Sequence, residues 1–215
     1  LVALSTALRL IKMSACGDIF CGDIIIATHV CTSAPTEPHE PVPFMGSPVN
    51  ISVMNKYEVD KNMDAILSID TSRGNKIINH TGFAISPTVK EGYILRMSDD
   101  LLSLMEQTTG KLPVTFPITI QDITPYGNGL YHFNSILQPA TATTSPVVGV
   151  AITSEIAIAG CATGVTNAVQ IDAVGRFAIE VAQRFGKNTC RFYDQEEYKI
   201  IVKKYGRLSQ FQQLR

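Results

Sequence analysis

The stretch Ala65-Ile66-Leu67-Ser68-Ile69-Asp70 decides the fold of this chain, because an apolar run there ends abruptly on a carboxylate. The sequence then turns through Thr71-Ser72-Arg73-Gly74-Asn75. A short continuous apolar run bounded by turn residues predicts a buried strand of the kind found inside α/β sheets. In such sheets, ligands bind beyond the carboxyl ends of the strands. A charge emerging there is costly unless it is paired or holds a metal. Asp70 is therefore the first candidate for chemistry, as a metal ligand or base. The competing reading has it capping the Thr71-Ser72 turn through backbone N–H groups.

Working outward, Val147-Val148-Gly149-Val150-Ala151-Ile152 predicts a second buried strand. Further strands are expected at Asp23 to Val30, Lys76 to Ile85 (broken at Gly82), Tyr93 to Met97 and Pro113 to Asp122. Helices are expected from the start to about Lys12, from Leu101 to Thr108, from Leu130 to Leu137, from Ile171 to Phe185 and from Gln195 to Tyr205. Ser98-Asp99-Asp100 caps the second of these and Gly110 stops it. Strands alternating with helices indicate one α/β domain over residues 1–215, with a central mixed, mostly parallel sheet flanked by helices. Residues 34–48 hold Pro35, Pro38, Pro41, Pro43 and Pro48, which exclude helix and central strand, so this segment is read as a loop within the domain.

Bulk properties remove several function classes. A 45% hydrophobic, 17% charged composition fits a globular chain with a sizeable core. Net charge is -1 with no basic run, which speaks against nucleic acid and anionic membrane as partners. The longest apolar stretch, Val147 to Ala159, is interrupted by Thr153, Ser154 and Glu155. Five cysteines, an odd number without a C-x-x-C pair, fit a reducing cytoplasmic compartment. Leu1 to Ile11 reads as the middle of an amphipathic helix without a cap, from which a preceding N-terminal portion is expected. The apolar composition also predicts a buried face between copies, and so a homo-oligomer.

Candidate site residues follow the predicted strands. His29 and Cys31 end the first, Asp70 ends the next, Asp122 ends another, and Glu155 and Cys161 follow the last. Imidazole, thiolate and carboxylate are zinc-ligand types, and Asp70 and Cys161 are the candidate metal ligands. No H-E-x-x-H or G-x-S-x-G signature supports a specific metallopeptidase or serine hydrolase. His29, on an apolar strand, is read instead as a hydrogen-bonded core histidine, and His80 and His132 carry no pattern. Pro38-His39-Glu40-Pro41 holds an imidazole beside a carboxylate on stiffened backbone, a candidate proton-transfer or clamping pair. Asp122 to Gly129 is a turn-rich stretch in which Asp122 is a candidate catalytic carboxylate, and Tyr126 and Asn128 are candidate substrate contacts. Thr163, in Gly160-Cys161-Ala162-Thr163-Gly164, is a third contact of that type. Neither glycine-containing stretch matches a nucleotide-binding motif.

At Pro38 to Pro48, Asp64 to Asp70, Ile85 to Gly92, Asp122 to Gly129 and Gly160 to Gly164 the chain resembles a bacterial family of unknown function, number 1177. The likeness implies that this chain is the C-terminal part of that family's sequence. More distantly, the order of elements is similar to zinc aminopeptidases of the glutamyl-aminopeptidase type. That likeness places a ligand aspartate at Asp70. It finds Val30-Cys31-Thr32-Ser33 where that family carries a Glu-Glu pair, and Gly160-Cys161 near where its last ligand histidine falls. It implies a hydrolase-like protein acting on a small peptide or amide, with zinc as the candidate cofactor. The alternative is a binding or assembly module that keeps the fold without a complete metal site.

Overall fold

The computed structural model describes residues 1–30, 36–38, 44–45, 49, 51–72, 74, 76–118, 135–156 and 167–209. Along the chain run helix α1 (Val2–Ala15), strands β1 (Thr36–Glu37) and β2 (Phe44–Met45), and helix α2 (Ile51–Glu58). Strands β3 (Ile66–Thr71), β4 (Gly82–Ile85), β5 (Val89–Lys90) and β6 (Tyr93–Ile94) follow, then helix α3 (Asp99–Thr109). A 3-10 segment (Ser135–Thr141), strand β7 (Val147–Thr153) and helices α4 (Ala168–Gly186) and α5 (Gln195–Tyr205) complete the order.

The main sheet is built around β7, which pairs with β3, β4 and β5. Residues 147, 148 and 150 of β7 are fully buried, as a strand covered on both faces requires. Side chains alternate between two cores. Val148 and Val150 join Phe83 and Ile85 of β4 with Leu101, Leu104 and Met105 of α3 and Val174, Phe177 and Val181 of α4. Val147 and Ala151 face the other way, against Ala84, Phe116, Ile136, Leu137 and Ala140. This two-residue alternation places helices α3 and α4 on one face and the 3-10 segment on the other. The Phe83 and Phe177 rings, 5.4 Å apart, join sheet to helix.

The architecture is α/β with a mixed, open sheet flanked by helices. Its dominant direction departs from the expectation: β3 runs parallel to β7, whereas β4 and β5 pair with β7, and β6 with β5, antiparallel. For β5 and β6 the reason is connection length: only Glu91-Gly92 separates them, too little chain for the crossover a parallel pair needs. β4 and β5 lie in line along the same side of β7 and so share one direction against it.

Several local expectations hold. Ser98 Oγ accepts the Leu101 N–H at 3.1 Å to cap α3, and Gly110 ends it at φ 68°. Asn167 Oδ1 caps α4 and Asp194 caps α5. Others fail. Residues 23–30 form no strand, and Ile25 and Val30 are 58% and 76% exposed. His29 is consequently exposed, with Nδ1 2.9 Å from Glu58 Oε1, rather than a core residue. Residues 76–80 are outside β4, and Thr115 makes only an isolated bridge to Ile85. Among the described residues of 130–137, the helix is a 3-10 segment beginning at Ser135.

Candidate functional site

The parallel pairing of β3 and β7 brings two strand ends to one edge of the sheet. Register sets Asp70 opposite Ala151 and Thr71 opposite Ile152. β4 enters from this same edge, with Gly82 opposite Thr153. Asp70 and Thr71, then Thr153, Ser154 and Glu155, then His80 and Thr81, therefore share the edge. The first turn of α4 joins them through Gln170, whose Nε2 donates to the Thr153 carbonyl at 3.0 Å.

The hydrogen bonds at this edge order its polar groups. Asp70 is exposed, and its Oδ1 accepts the Thr71 N–H at 2.7 Å. Thr153, only 1% exposed, places Oγ1 3.3 Å from His80 Nε2. Thr81 Oγ1 donates to Glu155 Oε1 at 3.0 Å. Thr71 Oγ1 is buried and has no hydrogen-bond partner among the described residues. Beyond β3 the chain stays locked to the end of β7: the Ser72 N–H donates to the Ile152 carbonyl at 2.7 Å and the Gly74 N–H to the Ile156 carbonyl at 2.6 Å. Glycine is required at position 74, where a Cβ would lie 2.6 Å from the Ser154 carbonyl oxygen.

Of the residues singled out from sequence, Asp70 lies at this edge. His39, Glu40, Asp122, Tyr126, Asn128, Cys161 and Thr163 lie outside the described residues. Cys161 and Thr163 belong by sequence to the connection from β7 to α4, whose described ends are Ile156 and Asn167. His80 was missed. It sits in no motif, and only the antiparallel placement of β4 brings it beside Thr153. The signal available was its position just before Gly82, at the start of an apolar run. Among the described residues, no group of three or more His, Cys, Asp or Glu side chains is placed to hold a metal ion.

Two other features compete for attention. A cleft of about 540 Å³ lies between helices, lined by Arg9 and Lys12 of α1, Gln107 of α3, and Arg176, Ile179 and Glu180 of α4. It includes no residue of the strand edge. The second feature is a buried charge cluster at the β5–β6 turn. Glu91 is 2% exposed at φ 49°, and its Oε1 accepts from Arg207 Nη1 at 2.5 Å. Lys90 Nζ is 3.7 Å from that oxygen, donates to the Thr144 carbonyl at 2.5 Å, and lies over the Tyr193 and Tyr198 rings. Burial draws the Lys90 amine below its usual range and raises the Tyr193 and Tyr198 phenols, with Glu91 adding to both phenol shifts. Tyr198 Oη sits against the Glu91 carboxylate, yet neither it nor Glu91 Oε2 has an aligned hydrogen-bond partner. Every named contact is within the chain, so the cluster reads as the anchor of α5 on the β5–β6 hairpin.

The family described as "Protein of unknown function (DUF1177)" matches residues 1–215. The chain belongs to this family. The match spans the strand edge, the Glu91 cluster and both helical layers, so the family relationship covers every element described here. Comparison with curated proteins and with solved structures finds no match. No helix among the described residues is long and apolar enough to cross a membrane.

Proposed function

We propose that this protein is hydrolase-like and binds a small peptide or amide at the edge where β3 and β7 end. The observation that carries the reading is that β3, β7 and the start of β4 bring Asp70, Glu155 and His80 to the same end of the sheet, with His80 against Thr153 and Thr81 against Glu155. Amide cleavage needs a proton acceptor and a proton donor within reach of one bond, and a carboxylate with an imidazole meets that requirement. Asp70 serves as base or ligand, and His80, oriented by the Thr153 hydroxyl, transfers the proton. The sequence adds His39 and Glu40 as a clamping pair, Asp122 as a second carboxylate, and Tyr126, Asn128 and Thr163 as substrate contacts. A zinc ion would draw on Asp70 and Cys161 and would polarise the scissile carbonyl. The described residues alone do not complete a zinc ligand set. A cytoplasmic location is part of the same reading.

The second reading, a non-catalytic module that binds such a ligand, is favoured by that incomplete ligand set. One experiment separates the two. Purified protein is assayed for bound metal by mass spectrometry and for hydrolysis of a panel of dipeptides and N-acyl amides, alongside Asp70→Asn and His80→Ala. The hydrolase reading expects turnover that falls at least about a hundredfold in either variant. Absence of turnover across the panel, with ligand-induced stabilisation that Asp70→Asn removes, establishes the binding module instead.

A further inference from the structure

We propose that the chain self-associates through the outer face of α1, which pairs with the α1 of a second copy. The helix carries side chains with apolar surface on two opposite sides. On the inner side Val2 and Thr6 are each 7% exposed. Thr6 lies against Gly175 of α4, and Arg9 pairs with Asp172. On the outer side Leu1, Leu4, Leu8 and Ile11 are 71%, 56%, 53% and 67% exposed, and the exposed Ala15 continues the line. At 100° per residue this row falls on the side opposite Val2 and Thr6. Surface leucines scattered singly need no explanation, but a continuous row on one helix does.

The spacing names the kind of partner. Intervals of three, four, three and four residues form a heptad seam, whose knobs fit the holes of another helix rather than a strand or a flat surface. Such a seam is its own complement, so a two-fold axis across it closes a dimer. Charge agrees with that occupant. The seam is bordered by Ser5, Ala7, Lys12 and Ser14, and α1 contains no acidic residue. Arg9 is committed to Asp172, which leaves Lys12 as the cation beside the seam. Antiparallel pairing keeps the two Lys12 side chains at opposite ends and sets each helix C-terminus beside its partner's N-terminus, where the helix dipoles attract. Even complete burial of the four large side chains brings the pair only to about 1,000 Å², the lower limit of specific interfaces. The dimer is accordingly weak and concentration-dependent.

Sedimentation velocity on the full chain, from low to high micromolar concentration, reads this directly. The expected result is a reversible shift from monomer to dimer mass. Leu8→Glu raises the dissociation constant at least about tenfold; its circular dichroism and Tm stay unchanged because Leu8 is exposed. Leu8→Gln provides a milder variant should the charged one fold poorly. Antiparallel register sets Leu4 against Leu8 of the other copy, so Leu4→Lys and Leu8→Glu chains associate when mixed at concentrations where neither does alone. Leu112→Glu, on an 80% exposed side chain outside α1, leaves the dimer intact. A monomer at every concentration overturns the proposal and leaves the stripe to a helix of a different protein. A dimer that survives Leu8→Glu, or dissociates equally in Leu112→Glu, overturns it too.

Discussion

Gly74 shows how closely single residues constrain the strand edge. A methyl group there would lie 2.6 Å and 2.7 Å from the carbonyl oxygens of Ser154 and Ile156, both backbone atoms just past the end of β7. Gly74→Ala must push the two chains apart where Asp70 and Glu155 emerge. The expected cost is about 1–3 kcal/mol, as for overpacking elsewhere. Urea denaturation checks it through a lower midpoint at unchanged slope. Some residues at this scale were legible in the sequence and some were not. Asp70 could be placed because it ends a recognisable apolar run, and Ser98 because a cap acts on the N–H three residues ahead. His80 and the anchoring role of Glu91 could not, since their partners, Thr153 and Arg207, stand 73 and 116 residues away.

Among the elements, α5 depends on a connection that a helical pattern does not reveal. Arg207, just past its end, reaches the buried Glu91 carboxylate, and the Tyr93 hydroxyl donates to the Gly206 carbonyl at 2.7 Å. Glu91 also holds a left-handed backbone conformation that a side chain adopts at a cost. Arg207→Ala would leave a buried carboxylate with Lys90 as its remaining named cation, beside Tyr198. Full burial of both partners would make this cost 3–5 kcal/mol. Arg207 is 59% exposed, so about 1–3 kcal/mol is expected. Thermal unfolding of Arg207→Ala beside Arg207→Lys measures it, with the lysine variant retaining part of the loss. Helices α3, α4 and α5 were readable because their caps and apolar periodicity are local. Asp23 to Val30 was misread because its apolar run satisfies the strand pattern, whereas a strand also needs an edge to pair with. The same limit hid the sheet's direction, which depends on which strands pair and on the short β5–β6 connection rather than on any strand's composition.

For the whole molecule, the core's water exclusion predicts a pH dependence. Cys190 is 2% exposed, and burial with the nearby Asp100 carboxylate pushes its thiol from 9.0 to about 12. Between those values the folded state keeps a proton that the unfolded state releases. Stability from this group is complete below pH 9 and declines as pH rises through the window, by up to about 1.4 kcal/mol per unit. Burial also lowers the Lys90 amine and raises the Tyr198 phenol, so the comparison with Cys190→Ala isolates the thiol. Urea midpoints between about pH 8 and about pH 11 should fall less steeply in the variant. Alkylation of native protein should label the exposed Cys16 and Cys21 while sparing Cys190.

The central position of β7 also orders events during synthesis. β3 and β4 have no described strand partner other than β7, and β7 begins at Val147, more than sixty residues after β4 starts. A ribosome that has produced two thirds of this chain has therefore made apolar strands with nowhere to pair. Sheet assembly waits on one late segment, and closing such long loops is slow. During that interval Ile66 to Ile69 and Phe83 to Ile85 stand as unpaired edges, the form in which nascent chains are most prone to aggregate or to engage chaperones.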